Sequence, residues 1–251
     1  MKTGIIGYGH VGKAMHELFT DAVIYDEPLA IGSMEEINKC EAVFVCVPTP
    51  QGQDGHCNTS IVEKVIGQIT APLIILRSTV SVGFTDEMMA KYNKEIVFQP
   101  EYYGETTAHP FSNLRDRTWL AFGGTRTGIK AAIRTYQSVI NSCVNIYQAD
   151  AKTVEMAKYM ENAFLATKVT FCNEMYDIAE ALGVDYNLVR EIWIADSRIG
   201  AGHTFVYEND RGYGGSCLPK DVASLVAQAK DNNVDCTLLR SVMRKNETYR
   251  R

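Results

Sequence analysis

The sequence lacks several features, and each absence excludes a class of protein. No cluster of lysine and arginine stands out against a formal net charge of -5, so a general nucleic-acid or membrane-surface binder is not expected. No apolar run is long enough to cross a bilayer, and Met1-Lys2-Thr3 leads directly into a strand-like segment. We therefore predict neither a membrane span nor a signal peptide. The seven cysteines include no C-x-x-C pair and are typical of reduced thiols, which predicts a cytoplasmic protein.

The length of the chain and its pattern of strands and helices predict two domains. The 251 residues, 46% of them hydrophobic, are enough for a sizeable core. Strand and helix patterns alternate over residues 1–150, which predicts an α/β domain built on a doubly wound, Rossmann-like parallel sheet. From about Ala151 one helix of roughly thirty residues runs to Gly183 and shorter helices follow it, which predicts an all-α domain over 151–251. A helix of this length commonly forms a subunit interface, so we expect a homodimer.

A glycine motif near the N-terminus predicts dinucleotide binding. Gly7-Tyr8-Gly9-His10-Val11-Gly12 lies between a strand and a helical pattern. In a G-x-G-x-x-G motif the first glycine makes the turn, the second admits the pyrophosphate and the third packs the helix on the strand. Asp26 ends the next strand, where a carboxylate binds both ribose hydroxyls and repels a 2′-phosphate, so NAD is favoured over NADP. The alternative, a fortuitous glycine turn, does not explain the strand, the helix and the acid together.

Polar residues follow other predicted strands. Pro48-Thr49-Pro50 comes after one strand, Ser78-Thr79-Val80 after another, and Glu101 and Glu105 share the loop after a third. Thr79 offers a hydroxyl that can hold a water, and the two glutamates offer carboxylates. Taken alone, these side chains are more commonly solvated loop residues. Their position after the strands of a doubly wound sheet favours function.

The segment from Gly212 to Asp221 places a thiol, an ammonium and a carboxylate close together. A helix starting near Pro219 would put Cys217 at its N-terminus, where the helix dipole and Lys220 both favour the thiolate form. This predicts a nucleophilic cysteine, although an inert buried cysteine beside a glycine turn is more common. Lys158 and Asn162, spaced i and i+4, lie on one face of the long helix, where such residues are usually solvated.

Together these motifs resemble the UDP-glucose/GDP-mannose dehydrogenase family, most closely its UDP-glucose 6-dehydrogenase members. The resemblance covers nearly the whole chain in seven ordered segments: Gly4–Gly12, Val45–Pro50, Ser78–Val80, Pro100–Glu105, Lys158–Ala166, Asp196–Gly200 and Gly212–Asp221. It implies an NAD-dependent, four-electron oxidation of the C6 alcohol of a nucleotide sugar to the carboxylate, through a thiohemiacetal and a thioester on the cysteine. The expected reaction is UDP-glucose to UDP-glucuronate.

Three alternatives stay open. One is a different nucleotide sugar, such as UDP-N-acetylmannosamine or GDP-mannose. Another is an NAD-binding dimer without catalysis, and a third is a two-electron hydroxyacid dehydrogenase, which would not need the cysteine. No metal site is predicted.

The resemblance also implies a role for each matching residue. It implies that the catalytic residues are Cys217, Lys158, Asn162, Asp221, Thr79, Glu101 and Glu105, and the choice of hydrolytic base among the carboxylates stays open. It implies that NAD is bound by Gly7, Tyr8, Gly9, His10, Val11, Gly12, Asp26, Pro48, Thr49, Thr79, Glu105 and Lys220. It implies that the substrate is bound by Tyr102, Tyr103, Lys158, Asn162, Gly214 and Arg198, the last reaching the sugar nucleotide across the dimer.

The sequence departs from the family pattern in three places. Tyr102-Tyr103-Gly104 replaces the more usual Phe-Leu-Arg or Phe-Leu-Ala, so the sugar contacts are expected to differ. The loop between Arg198 and Gly212 is a few residues longer than usual. Family members continue into a third, UDP-binding domain, whereas this sequence ends at Arg251, so we expect that domain to be absent.

Overall fold

The structure is a computed structural model that describes residues 1–102, 115 and 117–251. The described chain forms two compact units. The first comprises Met1–Pro50 and Cys57–Lys158, and the second comprises Gln51–His56 and Tyr159–Arg251. The sequence predicted a division at residue 150, and those domain bounds stay a prediction. The first compact unit includes the first two turns of the long helix, where Val154 joins the core beside the sheet.

The described residues of the first unit form a seven-stranded sheet in the order β2-β1-β3-β4-β5-β6-β7. The strands are β1 (Thr3–Ile6), β2 (Val23–Tyr25), β3 (Ala42–Val45), β4 (Leu73–Leu76), β5 (Ile96–Phe98), β6 (Trp119–Gly123) and β7 (Asn145–Ala149). The helices are α1 (His10–Leu18), α2 (Met34–Ile37), α3 (Ser60–Gln68), α4 (Phe84–Tyr92) and α5 (Arg126–Tyr136). Because β2 and β3 lie on opposite sides of β1, the strand order reverses there, which is where doubly wound sheets bind ligands.

Helices cover both faces of this sheet, as the sequence predicted. Alternate residues of β3 point to opposite sides: Val43 and Val45 join a core with α2, α3 and α4, whereas Phe44 joins a second core with α1 and α5. All four residues of β3 are buried, which explains the continuous apolar run in the sequence. Burial of both faces fixes the strand register, since a one-residue slip would exchange the two sets of side chains.

One strand pairing differs from the predicted parallel sheet. β5 and β6 pair antiparallel through Phe98 and Gly123, while every other neighbouring pair of described strands is parallel. The apolar pattern of a strand is the same in either direction, so the sequence did not encode this reversal. Antiparallel additions to a parallel sheet are common.

The second unit is helical, as predicted. The long helix α6 (Ala151–Leu182) begins in the first unit and continues into the second, where α7 (Tyr186–Ile194), α8 (Leu218–Asp231) and α9 (Thr237–Tyr249) follow. Gly183 ends α6 with a left-handed φ of 68°. α6, α8 and α9 share an apolar core that includes Ala166, Val222 and Val242. Over the ranges that the structure describes, no helix combines the length and the hydropathy needed to span a membrane.

Candidate active site

The glycine motif forms a tight turn between β1 and α1. Gly7 has a φ of 91°, and a Cβ there would lie 2.7 Å from the Cys46 carbonyl oxygen. A Cβ on Gly12 would lie 1.9 Å from the Gly7 carbonyl oxygen, so the first turn of α1 packs directly on the loop. At Gly9, by contrast, a Cβ would meet no atom of the described residues within 4 Å. The motif therefore has the expected geometry, in which Gly9 leaves the backbone open to a ligand.

The N-terminus of α1 is suited to an anion. The helix begins at His10 and continues through Val11, and its first turn contains no acidic residue. In the described part of the chain, no side chain caps it through a hydrogen bond. The first backbone N–H groups of a helix and its dipole attract phosphate, so this end fits the pyrophosphate of a dinucleotide.

Asp26 connects the end of β2 to the glycine loop. Its Oδ2 accepts a hydrogen bond from the backbone N–H of Tyr8 at 2.7 Å, and its Oδ1 accepts one from the N–H of Leu29 at 2.9 Å. Each carboxylate oxygen has a second lone pair that can accept a ribose hydroxyl. The residue is thus placed as a dinucleotide fingerprint requires, and the glycine loop, the helix end and Asp26 together fit NAD.

The loops after β3 and β4 are bound to each other. Ser78 donates a hydrogen bond through its hydroxyl to the Val47 carbonyl oxygen at 2.6 Å. This bond fixes the loop carrying exposed Pro48 and buried Thr49 against the loop carrying half-buried Thr79. All of them lie after the carboxyl ends of neighbouring strands, where the sequence predicted cofactor contacts.

Glu101 forms a buried ion-pair cluster with two arginines. Its Oε1 accepts a hydrogen bond from Arg117 Nη2 at 2.7 Å, and its Oε2 is paired with Arg77. All three side chains are buried. A guanidinium group bound to a carboxylate forms a strong, charge-assisted hydrogen bond. The predicted role of Glu101 as a hydrolytic base stays a prediction.

Lys158 lies on α6 beside an aromatic residue of the predicted substrate loop. Its ammonium is 4.6 Å from the centre of the Tyr102 ring, and both side chains are buried. The Tyr102 ring in turn packs against Trp119 at 4.6 Å. Contact between a desolvated cation and an aromatic face fixes the position of the ammonium. The structure thereby brings together two residues that the sequence assigned to substrate binding.

Cys217 lies at the start of α8 and is exposed. It is the N-cap residue, Pro219 falls in the first turn, and the Cys217 carbonyl oxygen accepts the backbone N–H of Asp221 at 2.9 Å. The predicted helix start is therefore confirmed. Reactive cysteines commonly lie at helix N-termini. Cys46 lies in a different environment, because burial raises the pKa of its thiol to about 12.

One helical turn after Cys217, Asp221 organises a buried polar cluster. Its Oδ2 accepts a hydrogen bond from Asn162 Nδ2 at 2.5 Å, and its Oδ1 accepts one from Lys220 Nζ at 2.5 Å. Asp221 is only 1% exposed and Asn162 only 4%. The carboxylate thus orients an amide of α6 and an ammonium of α8, and the sequence predicted all three residues as site residues.

Arg198 and Gly214 are the remaining predicted residues that the structure describes. Arg198 is exposed and pairs with Asp196 two residues before it. At Gly214 a Cβ would lie 2.8 Å from an Arg250 terminal nitrogen, so no side chain fits there without displacing the arginine. Tyr103 and Glu105 lie outside the described residues.

The sequence did not predict several residues that bind Glu101, the start of α4 or the chain before Cys217. Arg77 and Arg117 pair with Glu101, Glu155 caps α4, and Asn173 and Asn246 bind the chain before Cys217. Arg77 directly follows a predicted strand, which was the available signal. The two asparagines are separated from their partners by 39 and 33 residues and have no local signal.

Comparison with known proteins agrees with the motifs. Residues 29–140 match the model of the UDP-glucose/GDP-mannose dehydrogenase family, NAD binding domain, and residues 152–248 match that of the central domain of the same family. The first match begins after the glycine loop. The chain is 32% identical over 228 residues to the UDP-glucose 6-dehydrogenase of Pseudomonas aeruginosa, covering 84% of this chain and 49% of that protein. It is 31% identical to UDP-glucose 6-dehydrogenase YwqF of Bacillus subtilis, covering 83% and 49%.

The fold also matches solved structures. A UDP-glucose dehydrogenase from Pyrobaculum islandicum superposes with a TM-score of 0.86 at 23% identity, over 98% of this chain and 68% of that chain. A UDP-D-ManNAc dehydrogenase from Pyrococcus horikoshii superposes with a TM-score of 0.82 at 24% identity, over the same shares.

These matches confirm the predicted α/β and helical fold and the NAD-binding domain. The chain spans about half the length of the curated relatives it matches. Both matched models come from one family, and together they cover most of the sequence. The chain belongs to the UDP-glucose/GDP-mannose dehydrogenase family.

Proposed function

We propose that the protein catalyses the NAD-dependent, four-electron oxidation of the C6 alcohol of a nucleotide sugar to the carboxylate, with UDP-glucose as the preferred substrate. The observation that carries this proposal is the arrangement at the start of α8. There Cys217 is an exposed thiol at a helix N-terminus, and Asp221, one turn later, binds Asn162 and Lys220. A simple two-electron dehydrogenase has no use for such a thiol.

Each residue has a role that its chemistry supports. NAD, when bound, accepts the hydride that leaves C6 in each of the two oxidations. The Cys217 thiolate adds to the C6 aldehyde to give a thiohemiacetal, and oxidation of that adduct leaves a thioester. Water then breaks the bond between C6 and sulfur, supplies the second carboxylate oxygen and releases the thiolate.

Cationic and amide groups stabilise the oxygen at C6. Lys158 and Asn162 lie one turn apart on α6, and we assign them to the alkoxide and to the oxyanion that form at this oxygen. We assign Asp221 to orienting the hydrolytic water, because only one of its oxygens is bound by a charged group, Lys220, while the other accepts from the neutral amide of Asn162. The role of Thr79 in holding that water stays a prediction. We do not assign Glu101 to the hydrolytic water, because both of its oxygens are bound by arginines.

We further propose a homodimer formed through α6. Five exposed apolar residues recur at spacings of four and seven along this helix: Met160, Phe164, Phe171, Ile178 and Leu182. This apolar stripe has the period of a helix-packing seam. Arg198, which is 86% exposed on its side chain, would then reach the substrate of the partner subunit. The cytoplasmic location stays a prediction.

The test is to count NADH released for each nucleotide sugar consumed. The purified chain is incubated with NAD and, in turn, UDP-glucose, UDP-N-acetylmannosamine and GDP-mannose. Two NADH for each sugar supports the proposal, and the best substrate of the panel identifies the sugar. One NADH would indicate a simple alcohol dehydrogenase, and none with any sugar would favour a binding protein without catalysis.

Replacement of the nucleophile tests the covalent mechanism. Cys217→Ser should lower kcat at least about 1000-fold or trap an adduct, because serine lacks the thiolate needed for thioester formation. Cys143→Ser is the matched control, since Cys143 is also exposed but lies in the first unit. Full activity in Cys217→Ser would exclude the thioester mechanism.

A further inference from the structure

The backbone just before Cys217 is held by asparagines from two helices. Asn246 of α9 pairs with both backbone polar groups of Tyr213. Its Oδ1 accepts a hydrogen bond from the Tyr213 N–H at 2.7 Å, and its Nδ2 donates one to the Tyr213 carbonyl oxygen at 2.9 Å. Asn173 of α6 accepts the N–H of Gly212 through Oδ1 at 3.1 Å. Both asparagines are buried, so water competes little for these bonds. Three backbone groups in two successive residues are thereby fixed.

Arg211 anchors the preceding residue to the same helices. Its Nε donates to Asn173 Oδ1 at 2.6 Å, and its Nη2 donates to the Asp177 carboxylate at 2.6 Å. The guanidinium also lies 4.7 Å from the centre of the Tyr176 ring and 4.9 Å from that of Tyr249. A cation between two aromatic faces with charged hydrogen bonds is strongly restrained.

The contact with α9 is tight enough to require glycine. Gly212 has a φ of 74°, and a Cβ there would lie 2.5 Å from Asn246 Oδ1. The Tyr213 side chain is buried in the core shared by α6, α8 and α9. Between this anchor and Cys217 lie three residues, of which Gly215 has a φ of 77°. Glycine-containing backbone of this kind has many accessible conformations unless its ends are fixed.

We propose that Asn246 is a positioning residue for the nucleophile: by pairing with both backbone groups of Tyr213, it fixes the point from which the chain runs to Cys217. The proposal rests on the proposed function, in which Cys217 attacks C6. A displacement of about 1 Å in a reacting group can cost a factor of about 100 in rate, so a loose anchor would reduce catalysis without any change in the reacting residues.

The test is Asn246→Asp in the full chain. Aspartate keeps the acceptor for the Tyr213 N–H but places an oxygen against the Tyr213 carbonyl oxygen, so one bond is replaced by repulsion. We expect kcat to fall about 10- to 100-fold while KM for NAD stays unchanged, because the dinucleotide fingerprint lies in the first unit.

A second readout does not depend on catalysis. The alkylation rate of Cys217 by iodoacetamide is followed by peptide mass spectrometry from pH 6 to 9. We expect the rate at neutral pH to fall at least about threefold and its pH midpoint to rise, because the thiol leaves the N-terminus of α8. Alkylation of Cys143, the other exposed cysteine, should not change and serves as the internal reference.

Two further variants distinguish a displaced Cys217 from a general loss of structure. Asn232→Asp introduces the same charge at an exposed asparagine, whose Nδ2 donates to the Gln228 carbonyl oxygen, and it should behave as wild type. Gly212→Ala presses on Asn246 from the loop side and should reproduce the effect of Asn246→Asp. Thermal unfolding shows which variants are folded. If Asn246→Asp is not folded, the kcat and the Cys217 alkylation rate of Gly212→Ala test the positioning role instead.

The outcomes distinguish this proposal from the proposed function. If the wild type oxidises no nucleotide sugar, the proposed function fails, yet the alkylation comparison still tests the positioning of Cys217. A folded Asn246→Asp protein with wild-type Cys217 alkylation would overturn the positioning role, whether or not kcat falls.

Discussion

At the scale of single residues, we propose two roles for Asp26. Its carboxylate holds the glycine loop by accepting a hydrogen bond from the Tyr8 N–H, and in the proposed NAD complex its remaining lone pairs would accept the ribose hydroxyls. Asp26→Ala removes both, so the Kd for NAD should rise about 10- to 100-fold, since a hydrogen bond to a charged group contributes about 1.5–3 kcal/mol. Discrimination against NADP should weaken in the same variant. Titration calorimetry measures both effects.

The control for this prediction is Asp21→Ala, which removes an exposed carboxylate five residues earlier. NAD affinity should be unchanged in that variant. An equal loss of affinity in both variants would mean that Asp26 acts only through the net charge of this region.

Single residues were predictable where their role depends on local sequence. Gly7, Gly12, Asp26 and Cys217 each lie in a motif whose neighbours determine the geometry, and the structure places them as expected. Glu101 was different, because its partners are 24 and 16 residues away. A sequence motif shows that a carboxylate is present but does not show which charges will surround it.

At the scale of elements, Glu155 connects α6 to α4. Its carboxylate accepts the Gly83 N–H at 2.6 Å, the Thr85 N–H at 3.0 Å and the Thr85 hydroxyl at 2.6 Å. It therefore caps α4 from a helix about 70 residues later in the chain. Glu155→Ala leaves three donors without this acceptor, and the free energy of unfolding should fall by about 2–4 kcal/mol, measured by chemical denaturation.

The loss of unfolding free energy in Glu155→Ala should depend on pH. Burial raises the pKa of Glu155 above its ordinary value of 4.5. A carboxyl group with a raised folded-state pKa contributes stability that is fully present below its unfolded pKa and is lost as pH rises through the folded value. The difference in unfolding free energy between wild type and Glu155→Ala should therefore be largest near pH 4 and smaller at pH 8. A difference that grows with pH would contradict this account. Glu180→Ala, an exposed site on the same helix, is the control.

Most elements were predictable because their patterns are local. The long helix α6 begins at Ala151 and Gly183 ends it, and α8 begins next to Pro219, all as expected. The direction of β6 and the contact between Glu155 and α4 were not predictable, because both depend on tertiary connections that periodicity does not contain.

At the scale of the whole molecule, the proposed dimer makes a prediction about association. The apolar stripe of α6 runs from Met160 to Leu182, ~33 Å at 1.5 Å per residue, and its side chains are exposed in the single chain. A stripe of exposed apolar side chains on a helix is typical of a protein interface. We expect the wild type to have twice the mass of the single chain in multi-angle light scattering.

Charges on the stripe should separate the subunits. In the double variant Phe164→Asp and Ile178→Asp both substitutions fall on exposed positions, so the fold of each chain should persist while two desolvated carboxylates oppose association. The mass should fall to that of one chain, and kcat/KM for the nucleotide sugar should fall with it, because Arg198 would no longer reach the partner's substrate. Leu238→Asp, at an equally exposed apolar residue on α9, should leave both mass and activity unchanged. A dimer that survives the double variant would place the interface elsewhere, and a fully active monomer would remove Arg198 from the proposed site.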